Sequence, residues 1–281
     1  MNYRHAFHAG NFADVMKHVV LTRILHHLRQ KEKPFRVVDT HAGIGRYDLA
    51  GAEAGRTAEW EGGIGRMGPA FADEVEALLG PYRQAVASVR SRFGEVTYPG
   101  SPAILREMLR PCDRAILIEK HPEDADVLAV RFNAVGTLKV IRGDGWTLLR
   151  GLLPPRERRG LILIDPPYEV AGELAGAPAR IADALSRWET GTFMLWYPIK
   201  GTEEVESFAR AMTERLRRPA LRLELLTSSS ATAAGLRGSG LIIVNPPWTL
   251  LDEADELLPA LAGRLAQHGL GGYLCTTLAI G

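Results

Sequence analysis

The chain has almost no cysteine. Two thiols, Cys112 and Cys275, stand among 281 residues, and neither falls in a CxxC or Cys/His pattern with metal-ligand spacing. A disulfide scaffold and a zinc site are therefore not expected, no metal is expected, and a reducing cytoplasm fits. Long apolar runs are missing too. None approaches the roughly 18 residues of a membrane span, so no membrane partner is expected. The opening residues, Met1 to Gly10, lack the apolar centre of a signal peptide. Charge of one sign is not in excess: the net charge is +1, so the chain as a whole is not a general polyanion binder. The glycine loop that follows the first predicted strand, Gly43-Ile44-Gly45, is not the phosphate-cradling GxGxxG pattern.

Charge is nonetheless uneven. Residues 1–36 carry Arg4, Lys17, Arg23, Arg29, Lys31, Lys33 and Arg36 against Asp14 and Glu32. Arg150, Arg156, Arg158 and Arg159 form a second group, and Arg210, Arg215, Arg217, Arg218 and Arg222 a third. Such patches can track phosphates or simply solvate a helix face.

Apolar spacing predicts a helix over 12–30, with Asn11 as its N-cap. Pro34 breaks the chain, and 35–39 reads as a strand running into Thr40-His41-Ala42-Gly43-Ile44-Gly45. A strand, an acid and a glycine loop suggest the first β-to-α turn of a doubly wound sheet. The next strand, 115–119, comes about seventy residues later, whereas a βαβ unit needs roughly thirty. Residues 47–95 are therefore read as an inserted helical subdomain, with 1–46 and 96–281 forming the remaining core. Helices near 123–133, 146–152, 175–188, 202–215 and 251–266 alternate with strands at 138–141, 161–164, 193–197, 221–226, 240–244 and 272–277. This predicts a mainly parallel sheet with helices on both faces, and an antiparallel hairpin among the late strands.

The most informative stretch is Leu161-Ile162-Leu163-Ile164-Asp165-Pro166-Pro167-Tyr168. A buried strand ends on a carboxylate, two prolines and an aromatic ring. Prolines lack an N–H and hold the strand end open. A carboxylate, a bare Pro166 carbonyl and an aromatic face suit a planar heterocycle carrying an exocyclic amine. Asp165 and Pro166 would hold both N–H groups of an adenine N6, and Tyr168 would stack on the base, which must first leave its own stack. A strand that merely stops at a proline turn would look the same locally.

Asp39, Glu119, Asp144 and Asp165 stand at the ends of four strands, where ligands bind in open α/β sheets. Each alone is compatible with a turn or a helix cap. Together they describe S-adenosyl-L-methionine better than NAD. Glu119 would take the ribose hydroxyls and Asp144 the adenine amine, with Gly145 allowing close approach. The Gly43/Gly45 loop would pass near the methionine tail, with His18 and His41 in reach. A second tetrapeptide, Asn245-Pro246-Pro247-Trp248, also follows a strand. It reads as a strand end with a packing tryptophan.

Four segments carry a resemblance. They are Tyr3-Arg4-His5-Ala6-Phe7-His8-Ala9-Gly10-Asn11 with Asp14, Lys17 and His18; Asp39-Thr40-His41-Ala42-Gly43; Tyr98-Pro99-Gly100-Ser101-Pro102; and Asp165-Pro166-Pro167-Tyr168. Across nearly the whole chain, the sequence resembles the bacterial RlmJ family of 23S ribosomal RNA adenine-N6 methyltransferases. The resemblance implies a Rossmann-like class I methyltransferase core with a small helical insertion after the first strand. It implies cofactor contacts at His18, His41, Ser101, Glu119, Asp144, Gly145 and Asp165, of which Ser101 comes from the resemblance alone. It also implies an N-terminal tail whose Tyr3 gates the site, and a monomer acting on naked or protein-poor ribosomal RNA. Two alternatives keep the fold and change the outcome: a DNA adenine-N6 methyltransferase, or a non-catalytic RNA-binding protein. No target-recognition domain of the usual size for DNA is visible, and intact acids at four strand ends argue against loss of catalysis.

Overall fold

The computed structural model describes residues 5–227, 236–267 and 271–278. A 3-10 turn at His5–Phe7 leads into α1 (Phe12–Arg29), where the Asn11 side chain accepts the Asp14 amide at 3.0 Å as N-cap. β1 (Arg36–Asp39) follows. The chain then runs through β2 (Arg46–Asp48), α2 (Ala52–Thr57), 3-10 turns at Glu59–Gly62 and Ile64–Met67, α3 (Asp73–Phe93) and β3 (Thr97–Pro99). β2 and β3 pair antiparallel, with Arg46 opposite Pro99, so this excursion begins and ends at one place. α4 (Ser101–Met108), β4 (Arg114–Glu119), α5 (Pro122–Phe132), β5 (Leu138–Arg142) and α6 (Gly145–Leu152) come next. β6 (Gly160–Ile164), α7 (Glu173–Arg187), β7 (Thr192–Ile199), α8 (Thr202–Arg215), β8 (Ala220–Leu226), β9 (Gly238–Val244), α9 (Leu250–Leu265) and β10 (Gly272–Leu278) complete the order.

The main sheet has eight strands in the order β10-β8-β9-β7-β6-β1-β4-β5. β5, β4, β1, β6 and β7 are mutually parallel. β9 lies antiparallel between β7 and β8, and β10 pairs antiparallel on the outside of β8. The chain leaves β1 toward β4 and β5, then returns to β6 on the other side of β1. That reversal is the switch point at which open α/β sheets bind ligands.

Alternation builds the core. Leu161 and Leu163 join a cluster with α1, α3, α4 and α9, while Ile162 and Ile164 face α6, α7 and α8. Both faces are thus covered by helices, and the β6 strand reads as a continuous apolar run for that reason. α1 is buried almost all round, against α3, α4, α9 and β9. α3 contributes Val75, Leu79 and Tyr82 to the same cluster as α1, so the excursion shares the main core.

Three elements escape the sequence reading. β2 and β3 are three residues each, too short for periodicity to show. α4 opens within Pro99-Gly100-Ser101-Pro102, which carries turn chemistry. Pro102 is tolerated there because it sits in the first helical turn. Among the described residues no helix is long and apolar enough to cross a membrane.

Candidate active site

The carboxyl ends of β5, β4, β1 and β6 open into one cleft of about 990 Å³. His18, His41, Gly43, Ser101, Glu119, Asp144, Asp165, Pro166 and Tyr168 all line it. Gly145 is not in that lining. A Cβ on it would lie 2.1 Å from the Thr40 carbonyl oxygen, so its close approach is to the β1 loop and brings α6 against that loop.

The strand-end acids do different things. Glu119 accepts the Gly43 amide at 2.8 Å and the His121 amide at 2.7 Å, which aims its carboxylate across the glycine loop. Burial raises its pKa against those two bonds. Gly43 has φ +60°, a conformation suited to glycine. Asp144 caps α6, accepting the Thr147 amide and hydroxyl at 2.9 Å on one oxygen and the Lys120 ammonium at 2.9 Å on the other. Burial works against its charge, but these partners prevail and hold it down at about 2.

Asp39 is fully buried beneath the cleft, where the Ser101 hydroxyl donates to it at 2.6 Å. Burial pushes its pKa up to about 7. A carboxyl whose folded pKa exceeds its unfolded value stabilises the fold most at low pH. That contribution is lost as pH rises from about 4 through about 7. Asp39→Asn is therefore expected to match wild type near pH 4 and to be more stable by a few kcal/mol, on the order of the shift, at pH 8. Urea unfolding at both pH values checks this, and taking the difference between the two proteins cancels the opposing histidines. Burial lowers His18 to about 3 and His41 to about 4, so both rings are neutral at pH 7.

Beneath Asp165 lies a charge network on α1. Lys17 is 4% exposed. Its ammonium contacts Asp165 Oδ2 and lies 2.8 Å from Asp14 Oδ1. Asp14 Oδ2 takes His5 Nε2 and the Gly10 amide, each at 2.9 Å. Burial would discharge Lys17, yet the two carboxylates outweigh it and raise its pKa, so it stays an ammonium. Burial likewise opposes charge on Asp14, and His5 and Lys17 hold its pKa well below the usual range. One Asp165 oxygen is thus anchored, and the other has no partner among the described residues.

Tyr168 has φ +52°, an uncommon conformation for an aromatic residue, costing roughly 1–3 kcal/mol. Its hydroxyl donates to the Trp196 carbonyl, and its ring lies 5.7 Å from the Trp196 ring. The double proline and this bond together fix an aromatic wall beside Asp165.

Asn245-Pro246-Pro247-Trp248 is elsewhere. β9 runs against β7, and Val244 lies opposite Phe193, so the tetrapeptide leaves at the other edge of the sheet. Asn245 Nδ2 donates to the carbonyls of Glu189 and Gly191 at 2.8 Å, a clamp on the turn before β7. Trp248 does not pack. It is 81% exposed, because the chain passes into α9 with the indole on the outside.

A family model described as "Ribosomal RNA large subunit methyltransferase D, RlmJ" matches residues 32–277. A protein of Escherichia coli K12 named "Ribosomal RNA large subunit methyltransferase J" is 39% identical over 272 residues, 96% of each chain. Its Haemophilus influenzae counterpart, with the same name, is 37% identical over 274 residues, 97% of each chain. This chain belongs to the RlmJ family. A crystal structure of a Legionella pneumophila protein, 34% identical, superposes with a TM-score of 0.86 over 97% of this chain and 99% of that one.

Within this RlmJ-family cleft, sequence reasoning missed Lys17 as a site residue. The available signal was an Asp and a Lys one turn apart, within the apolar spacing of the first half of α1. Trp146 and Trp196, which also line the cleft, gave no signal beyond their size. The basic groups need revision. Lys17, Arg23 and Arg222 are buried in ion pairs, Arg23 with Glu253 and Arg222 with Glu206 and Glu224, so they cannot track phosphates. Arg36 pairs with Glu157, and Arg159 donates to the Leu28 and Lys33 carbonyls. Tyr3 lies outside the described residues, and so does its expected gating role.

Proposed function

We propose that this cleft binds S-adenosyl-L-methionine and directs its methyl group to N6 of an adenine in 23S ribosomal RNA. The observation that carries the reading is Asp165. It ends β6 with one oxygen anchored by a buried ammonium and the other without a partner among the described residues, beside a pinned aromatic ring and in one cleft with three other strand-end positions. Membership of the RlmJ family supports the ribosomal RNA substrate.

The residues fit the cofactor. Glu119 offers a buried carboxylate to ribose hydroxyls, the Gly43 loop passes alongside, and His18, His41 and Ser101 face the same space. The bound cofactor supplies an electrophilic methyl on a sulfonium. The adenine N6 lone pair is delocalised into its ring and is a poor nucleophile. Asp165 Oδ1 and the Pro166 carbonyl accept its two N–H groups and favour a pyramidal nitrogen. Tyr168 supports the base face, a contact worth roughly 1–3 kcal/mol in stacked nucleic acids. Positioning and electrostatics lower the barrier. The negative Asp165 then receives the positive charge that N6 acquires, and accepts its proton at Oδ1.

In this reading residues 47–95 act as a helical insertion within a core made by 1–46 and 96–281. The enzyme works in the cytoplasm as a monomer, on naked or protein-poor RNA, and Tyr3 closes the site. A DNA substrate is the competing reading. Tritiated methyl transfer to a large-subunit RNA fragment and to a DNA of the same sequence separates them. Label on RNA at a rate at least about tenfold above DNA is expected, since each strand type presents a different helix geometry and only RNA carries the 2′-hydroxyl. Equal or greater labelling of DNA contradicts the assignment.

A further inference from the structure

The carboxyl end of β7 reaches past the end of β6. Ile164, the last residue of β6, lies opposite Leu195, and β7 continues to Ile199. β9 accompanies it, with Ile199 opposite Gly238 and the Arg237 amide donating to the Ile199 carbonyl at 2.9 Å. A two-stranded ribbon therefore stands beside Asp165 and carries Trp196, Pro198 and Lys200 along the cleft wall. In the strand order this wall lies on the far side of β6 from Glu119 on β4 and Asp144 after β5. It is thus on the methyl acceptor's side of Asp165, away from the cofactor.

Among the described residues three lysines line the cleft, and two of them are neutralised. Lys17 is held between Asp14 and Asp165, and Lys120 by Asp144. Lys200 is exposed, and no carboxylate among the described residues pairs with it, although Glu203 and Glu204 follow in the first turn of α8. Arg237, at the same end of the ribbon, buries its Nε with no hydrogen-bond partner among the described residues. That group can only donate, and a buried donor is normally satisfied. Two cations without counter-ions at one mouth of the cleft suit an anion that arrives with the substrate.

We infer that Lys200 and Arg237 hold a backbone phosphate at or next to the target adenosine as it enters the cleft, which deepens the function proposed above and rests on it. A base turned out of its stack toward Asp165 brings its own phosphodiesters to the rim. Phosphate contacts of this kind set register without reading sequence. Lys200 supplies a point charge and Arg237 a guanidinium fork. The pair fixes how far the nucleotide enters and leaves the base to Asp165 and Tyr168.

Binding of an unmodified large-subunit ribosomal RNA fragment, measured at several salt concentrations with S-adenosylhomocysteine present, tests this. Log K falls with log salt by about 0.7 for each phosphate contact to a single strand. Lys200→Gln should flatten that slope by about 0.7, and the double change with Arg237→Gln by about 1.4. Lys200→Arg, which keeps the charge, should retain the slope. In methyl transfer at low salt, Lys200→Gln should raise KM for RNA by about threefold or more with kcat nearly unchanged, the mark of a contact made equally in ground and transition states. Calorimetric affinity for S-adenosylhomocysteine should not move. Arg217→Gln, exposed between α8 and β8 at the opposite end of the sheet, controls for charge in general. A slope that survives the double change overturns the inference, as does an equal flattening by Arg217→Gln or a loss with Lys200→Arg as large as with Lys200→Gln. Absence of methyl transfer to the RNA by wild type would instead remove the proposed function, and the inference with it.

Discussion

Asp165→Ala is expected to reduce kcat for methyl transfer by on the order of 10²–10⁴, the range for removing one group that positions and stabilises a developing charge. The fold should survive the change. Lys17 keeps Asp14 at 2.8 Å, so its ammonium is not left alone in the interior. Affinity for S-adenosylhomocysteine should change by only a few fold, since Glu119, the Gly43 loop and His41 are untouched. Single-turnover transfer under saturating RNA, with calorimetry for the cofactor product, separates these effects. A mutant that retains kcat would show that N6 is held elsewhere.

Lys17→Met should do more damage to the protein than to any single contact. The substitution leaves Asp14 and Asp165 facing one another without their shared cation, and breaking a buried pair from one side costs roughly 3–5 kcal/mol. The loss should appear as a lower urea midpoint with an unchanged slope. Adding Asp165→Asn to Lys17→Met should recover part of the stability, because one of the two orphaned charges is then gone, while activity stays lost. Independent, additive effects of the two changes would mean that the ion pair does not couple α1 to the end of β6.

The architecture was legible because its signals are long and periodic. β6 is an unbroken apolar run since both its faces are covered, and α1 shows helical spacing with Asn11 at its start. The boundaries of most later elements differ from expectation by one or two residues, the normal fraying of helix and strand ends. What escaped was short or set by tertiary contact. The β2/β3 pair is held by cross-strand bonds between residues about fifty apart in sequence, and no local pattern announces it. In the cleft, the strand-end acids were visible as residues but not as roles. Asp39 and Asp144 look alike in sequence. The first is fully buried under Ser101 and the second is a partly exposed helix cap, and only packing distinguishes them. The same holds for the basic residues. Lys17, Arg23 and Arg222 read as surface charge, and each is tied to carboxylates brought in from other elements. Trp248 was misjudged for the opposite reason, since a large aromatic after an apolar strand is usually packed and this one is not.

Locating the transferred methyl group decides whether adenine N6 is the acceptor. Unmodified large-subunit ribosomal RNA would be incubated with the protein and S-adenosyl-L-methionine, digested to nucleosides and resolved by mass spectrometry, with Asp165→Ala alongside. N6-methyladenosine is expected as the product with wild type, and none above background with the mutant. A methyl group on another base or on ribose, or an equal yield from Asp165→Ala, would contradict it.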